Sequence, residues 1–342
     1  MYYIKSMKKG KSVKKGTAIR SIRKGKDKEI RPETSSYELD TENKTRERNL
    51  SNAINAYKEA LKVYTLETHP MEYAVTQNNL GMSYCVLAGI TKEEENFFNS
   101  INAYKEALKV YTLEKHPMEY AVTYSNLAIA YSLVSEVTNE EENLSNAINA
   151  YKEALKVYTL EEHPMEYGSA HKNLGKIYFT LFEITGEEEN LSNAIDSYQE
   201  SLEVYTLEEY PSEYAEIQTN IGNTYRTLST FSEREGNLSK SIEAFHEALK
   251  VYNIEEYPSE YATVQNNLGI SYRNLAMVVN MFENFQKAMQ AYEEALKVYT
   301  LKDYPREYAM LQNNIGNIYA ILAGLKMKIG FEQGTPMLSA NV

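Results

Sequence analysis

The chain has 342 residues, of which 43% are hydrophobic and 25% charged, and both values are ordinary for a folded protein. Cys85 is the only cysteine, which excludes a disulfide framework or a thiolate metal cluster within one chain and favours a reducing, cytoplasmic compartment. No stretch approaches the ~20 apolar residues of a membrane span, and the basic N-terminus lacks the apolar region of a signal peptide. We therefore expect neither a membrane span nor export.

Charge is distributed unevenly along the chain. Residues 1–31 hold 12 lysines and arginines against two acidic residues, a net charge of +10, so the remainder carries −22 within a formal total of −12. The sequence predicts that residues 1–48 form a basic, disordered arm. One hypothesis is that residues 1–31 bind nucleic acid or an anionic membrane surface, and the alternative is a solvated tail.

An internal repeat dominates the rest of the chain. Six prolines stand 47 residues apart, at Pro70, Pro117, Pro164, Pro211, Pro258 and Pro305. Residues 49–66 and 143–160 are identical over 18 positions. A fixed period of this length is typical of a solenoid or a propeller. Apolar residues at three- and four-residue steps indicate helices, and strand alternation is absent, so a propeller is not expected.

Each repeat is predicted to hold two helices. Helix A begins at the recurring proline, whose missing N–H is unpaired in a first turn in any case. Helix B follows an asparagine that is expected to cap it, at Asn49, Asn96, Asn143, Asn190, Asn237 and Asn284. The predicted spans are 49–67, 70–90 and 96–114, then onward at 47-residue intervals to a last helix over 305–328. The array thus covers residues 49–328, and residues 329–342 form a tail.

The repeat resembles the tetratricopeptide family. Leu80-Gly81-x-x-Tyr84, followed by Ser100-x-x-x-Tyr104-x-x-Ala107, matches its signature, and the match recurs over residues 49–325. The period of 47 departs from the standard 34 residues. His69-Pro70 with Asn78-Asn79-Leu80 is similar to the long repeats of kinesin light chains and of some prokaryotic proteins. The resemblance implies an all-α, right-handed superhelical solenoid of antiparallel helix pairs, about 12 helices in all, that acts as a non-catalytic scaffold for binding other proteins.

The same resemblance implies a binding groove on the concave side of the A helices. On a helical wheel, the asparagine nine residues after each proline points away from Gln77, Leu80, Gly81 and Tyr84, which face the stack. In kinesin light chains a similar asparagine ladder grips the peptide backbone. We carry that role onto Asn79, Asn126, Asn173, Asn220, Asn267 and Asn314. The alternative is that each asparagine bonds to the next repeat and only sets the packing.

Basic residues on the same face suggest the charge of the ligand. Lys172, Lys176, Arg226 and Arg273 fall on the predicted groove side of an acidic body. Such a cluster suits an acidic peptide or a C-terminal carboxylate. The alternative is that these side chains are solvated or pair with neighbouring glutamates.

Nothing in the sequence indicates catalysis, a cofactor, a metal or a small-molecule substrate. The phosphate-binding loop, zinc-helix and nucleophile-elbow motifs are absent, and His69, His116 and His163 occupy a pre-proline position that is tyrosine in the other three copies. A further hypothesis is self-assembly. The first B helix and the last A helix lack stacking partners, so the array ends are candidates for a homodimer interface or for a spacer between proteins.

Overall fold

The computed structural model describes residues 36–138 and 140–332, with side chains from residue 43 to residue 324. The hypotheses about residues 1–31 and most of the C-terminal tail concern residues outside that part. The chain divides into two compact parts, Met1–Thr45, of which only the start of the first helix is described, and Arg46–Val342, which holds the repeat array.

Twelve helices and no strands are found among the described residues, as the sequence predicts. The A helices are α2 (Pro70–Thr91), α4 (Pro117–Ser135), α6 (Pro164–Thr185), α8 (Pro211–Leu228), α10 (Pro258–Ala276) and α12 (Pro305–Glu332). The B helices are α1 (Ser36–Ala60), α3 (Glu94–Ala107), α5 (Glu140–Ala154), α7 (Glu188–Leu202), α9 (Arg234–Ala248) and α11 (Met281–Leu296).

Each A helix packs most closely on the B helix that follows it, which gives five complete repeats, α2–α3 to α10–α11. The B helices from α3 to α11 then pack on the next A helix, and most neighbouring A helices also contact each other. Ile54 of α1 is buried in one cluster with Leu80 and Tyr84 of α2. The short connections make consecutive helices antiparallel. The tetratricopeptide-like solenoid of helix pairs is therefore confirmed, and the handedness of its superhelix stays a prediction.

The recurring proline begins every A helix, as predicted. In α4 the residue before it, His116, has φ −140° and ψ 59°, because a following proline disfavours the helical region. Its carbonyl still accepts the first helical bond, from the Tyr120 N–H at 2.9 Å. The His116 ring packs on Tyr111, and the same pairing recurs as Tyr205 with Tyr210 where tyrosine replaces histidine. The pre-proline histidines are thus structural.

The B helices end about seven residues earlier than the sequence predicts. Helix α3 ends at Ala107, not near 114, and the chain continues as tight turns to Pro117. The cause is Tyr111, a buried side chain that lies against Ala74 and Ala107. Continuing the helix would carry this ring away from that site. These turns account for much of the extra length of the repeat over 34 residues.

The asparagine caps predicted for the B helices are wrong. Asn96 lies inside the first turn of α3, where its side-chain amide donates to Glu93 Oε2 at 2.8 Å and towards Thr91 Oγ1. In α5 the Asn143 amide donates to the Thr138 carbonyl at 2.7 Å. The B helices from α3 to α11 begin two or three residues before their asparagines. The asparagine side chains of α3 and α5 therefore tie the helix back to the preceding turn instead of accepting from free N–H groups.

The first and last helices exceed their predicted limits. Helix α1 begins at Ser36, not at Asn49, and α12 continues to Glu332. The segment 36–48 contains glutamate, lysine and arginine and neither glycine nor proline, so helix propensity permits this extension into the basic arm.

Candidate peptide-binding face

Consecutive A helices share one continuous surface, which we call the A face. It is formed by the residues 5, 8, 9, 12, 15 and 16 positions after each recurring proline. Side-chain bonds cross this surface from one A helix to the next, between Lys172 and Glu216, Arg226 and Asn267, and Arg273 and Asn314. A ligand lying along this surface would therefore contact several repeats.

The six predicted asparagines all lie half-buried on the A face. Asn173 donates to the Tyr151 hydroxyl of the preceding B helix at 3.0 Å. Asn267 and Asn314 accept bonds from arginines of the preceding A helix, at 3.4 and 3.1 Å. In contrast, the Nδ2 donor of Asn220 is buried without a partner among the described residues. The ladder thus combines packing contacts with at least one unused donor.

The two predicted lysines converge on one carboxylate. Lys172 and Lys176 of α6 form ion pairs with Glu216 of α8, at 2.9 and 2.5 Å. Burial works against ionisation of Glu216, but the hydrogen bonds from both lysines outweigh it and lower the pKa of the carboxyl. The pairing with a glutamate, which the sequence left as an alternative, is what the structure shows for these two residues.

The two predicted arginines have amide partners in place of carboxylates. Arg226 bonds Asn223 at 3.0 Å and Asn267 at 3.4 Å, and Arg273 bonds Asn314 at 3.1 Å. No ion pair among the described residues involves either guanidinium. Burial lowers the pKa of Arg226, and the charge of Arg273 lowers it further, although arginine stays protonated. An uncompensated positive charge therefore remains on this part of the A face.

Tyr292 adds a buried hydroxyl beside the arginines. Its side chain has no exposed surface, and its oxygen has no hydrogen-bond partner in the described part of the chain. Burial raises the pKa of Tyr292 to about 12, although the charges of Arg273 and Arg226 lower it. The Tyr292 ring packs against Gly269, which stands four residues before Arg273 in α10. The sequence did not indicate this unpaired hydroxyl, because the register of Tyr292 predicts only that the residue belongs to the core.

The N-terminal part of the A face is apolar. Val75, Met82 and Val86 of α2 and Ile129 of α4 are large hydrophobic side chains with 40–48% of their surface exposed. They line up along the same side as the asparagines, at positions occupied by charged or polar residues in α6 and α8. Cys85 stands in the register of Arg226 and Arg273 but is buried, and burial raises the pKa of its thiol. The A face therefore changes from apolar to basic along the array.

Two other kinds of site are absent from the described residues. No group of three or more histidine, cysteine, aspartate or glutamate side chains there converges on a point suited to a metal ion. None of the helices in that part combines the length and the apolar character that a membrane span requires.

Comparison with known proteins gives weak likenesses. No family model and no curated relative matches the chain. Among solved structures, BtubC (BKLC) from P. vanneervenii is 22% identical, with a TM-score of 0.49, and the match covers 74% of this chain and 90% of that one. A MamA protein is 17% identical with a TM-score of 0.43, covering 65% and 93%. Yeast Tom70 is 12% identical with a TM-score of 0.28, covering 86% and 62%. Similarity at these levels carries no argument about function.

Proposed function

We propose that this chain is a non-catalytic scaffold whose A face binds an extended, acidic peptide segment of a partner protein. The observation that carries the proposal is the contrast between the two basic pairs. Lys172 and Lys176 share the carboxylate of Glu216, whereas Arg226 and Arg273 bond only amides and have no carboxylate partner among the described residues. A ligand carboxylate would supply the missing negative charge.

Arginine suits this role because its planar guanidinium can bond both oxygens of one carboxylate. The asparagines that hold Arg226 and Arg273 fix the direction of each guanidinium without cancelling its charge. Asn126 and Asn220 of the ladder are half-buried residues of the same face, and the exposed part of each side chain would add bonds to the ligand backbone.

The apolar part of the A face defines the rest of the ligand. Packed helices lie about 8–10 Å apart, so the two steps from α4 to α8 span roughly 18 Å. An extended peptide covers that length with about five or six residues at ~3.3 Å each. We therefore expect an apolar side chain over Ile129 and Met82, and an acidic side chain about five or six residues away, near Arg226.

Selection from a library of random 12-residue peptides tests this proposal. The targets are the full chain, the Arg226→Gln/Arg273→Gln variant, and an Arg234→Gln control, which removes an exposed arginine from the B helix α9. We expect the parent and the control to enrich peptides that carry an acidic residue at that distance from an apolar one. The double variant should lose the acidic preference. Equal enrichment by all three proteins would contradict the proposal.

The asparagines are tested separately with a selected peptide. Asn126→Ala and Asn220→Ala should each weaken binding, measured by fluorescence anisotropy, whereas Asn149→Ala on an exposed side of α5 should not. Unchanged affinity in the first two variants would show that the asparagines serve only in packing. The arginines alone would then remain as the proposed binding residues.

A further inference from the structure

In four repeats an aromatic ring of the B helix packs into a socket on the preceding A helix. The socket is a glycine, and a Cβ added there would lie 2.5–2.8 Å from the ring at Gly81, Gly175, Gly222 and Gly269, whose rings are Tyr104, Tyr198, Phe245 and Tyr292. Gly316 of α12 stands in the same register, but no atom of the described residues lies within 4 Å of its added Cβ. The last A helix therefore presents an open socket.

A second contact recurs between the same helices. The tyrosine three residues after the proline donates its hydroxyl to a glutamate of the following B helix, in the pairs Tyr73–Glu106, Tyr120–Glu153, Tyr167–Glu200, Tyr214–Glu247 and Tyr261–Glu294. Tyr308 of α12 stands in this register without such a glutamate in the described part of the chain. In addition, Tyr319 of α12 is 59% exposed, whereas its counterpart Tyr84 is 7% exposed.

The first helix carries the complementary surface. Residues 49–66 of α1 and its turn are identical to residues 143–160, which include most of α5. In α5 the side chains of Leu144, Ala147 and Tyr151 are buried in one cluster with Leu127 and Ala128 of the preceding A helix. The identical residues of α1, Leu50, Ala53 and Tyr57, are only partly buried, and Ala56 is exposed where Ala150 is buried. Because the sequence is the same, the difference comes from the surroundings, since no A helix precedes α1 among the described residues.

We propose that α1 of a second copy of this chain docks on α12 as the next B helix of the array. In this register Tyr57 of the second copy fills the socket at Gly316. Glu59 of the second copy accepts a hydrogen bond from the Tyr308 hydroxyl. Both contacts repeat pairings that the chain already makes internally. Each copy keeps a free α1 at one end and a free α12 at the other, so the contact is head-to-tail and leads to open chains of molecules, not to a closed dimer.

One variant blocks each end. Ala56→Glu places a charge on the exposed docking face of α1, and its control is Asn55→Glu, since Asn55 and its counterpart Asn149 are both exposed. Gly316→Leu fills the socket, and its control is Gly89→Leu, at another helical glycine with no atom within 4 Å of an added Cβ. Circular dichroism and thermal melting first establish that all four variants fold as the parent does.

Sedimentation velocity over a range of concentrations then tests the proposal. The parent and both controls should grow through dimers, trimers and longer species. Ala56→Glu and Gly316→Leu should each stay monomeric, because association weakens about 100-fold or more when a charge or a clash is buried at the contact. An equimolar mixture of these two variants should form dimers and nothing larger, since one α1 and one α12 remain competent.

Three results would overturn the proposal. A parent that stays monomeric at every concentration would show that the ends do not bind each other. A parent that stops at dimers would indicate a symmetric contact. Assembly of either blocked variant alone, or no dimer in their mixture, would place the contact elsewhere.

Discussion

A Cβ added to Gly269 would lie 2.5 Å from Cε1 of Tyr292, so this glycine is what allows the ring to lie against the A helix. Repeat 2 has a buried alanine, Ala128, in the same register, which shows that a shifted ring can accommodate a methyl group. The absence of a Cβ at Gly269 thus allows the two helices to pack closely. We therefore expect a glycine-to-alanine substitution to destabilise the protein at Gly269 and to stabilise it at Gly316.

Gly269→Ala should lower the free energy of unfolding by about 1–2 kcal/mol, because overpacking costs more than the gain in helix propensity. Gly316→Ala, made in the Ala56→Glu variant to keep the protein monomeric, should raise it by about 0.5–1 kcal/mol. Urea denaturation followed by circular dichroism measures both. Equal effects at the two positions would contradict the account of the socket.

The bond from the Tyr214 hydroxyl to Glu247, at 2.8 Å, is expected to stabilise its repeat modestly. Because the glutamate is partly exposed and also pairs with Lys250, we expect a coupling of about 0.5–1 kcal/mol. A double-mutant cycle with Tyr214→Phe and Glu247→Gln measures this coupling. Tyr308→Phe serves as control in the Ala56→Glu background and should leave the free energy of unfolding unchanged.

Alkaline pH should destabilise the array. Burial raises the pKa of Tyr158 and Tyr252 to about 12, and that of Tyr198 and Tyr151 well above the ordinary value of 10. Above pH 10 the unfolded chain releases phenolic protons that the folded chain retains, so the free energy of unfolding falls as the pH rises from 10 towards 12. Urea denaturation at pH 8, 9, 10 and 11 tests this. A constant free energy of unfolding over that range would contradict the buried placement of these rings.

Removing Glu216 should strengthen binding of an acidic peptide. Glu216→Gln leaves Lys172 and Lys176 without their carboxylate, so the positive part of the A face extends from α8 to α6. We expect about a fivefold to tenfold higher affinity at low salt and a steeper loss of affinity as salt is added. Glu243→Gln on an exposed side of α9 is the control. If both substitutions change affinity equally, the effect reflects net charge and not this ion-pair cluster.

The sequence predicted the period, the helix pairs and the proline starts because these depend on local propensity and on a register repeated six times. It did not predict that Asn96 donates to the preceding turn, since that depends on where α3 begins. The end of α3 at Ala107 depends on a tertiary contact of Tyr111, which no local pattern contains.

The sequence placed the candidate residues on one face of the A helices, but it did not predict which charges would have carboxylate partners. The wheel placed Lys172 and Arg226 on one face, and treated them alike. Whether each charge has a carboxylate partner depends on the side chain that the next A helix presents. This side chain is Glu216 for Lys172 and Asn267 for Arg226. These partners stand 44 and 41 residues away, so only the geometry of neighbouring A helices brings them together.

A charge-swap experiment is the sharpest test of whether Arg226 and Arg273 bind an acidic peptide. The Arg226→Glu/Arg273→Glu variant is titrated with a selected acidic peptide and with the same peptide carrying lysine in place of the acidic residue. The account predicts that the parent binds only the acidic peptide and that the variant binds the lysine peptide more tightly. A variant that prefers neither peptide, while the parent still binds the acidic one, would allow the arginines only a structural role. Tight binding of the acidic peptide by the variant would contradict the proposed site.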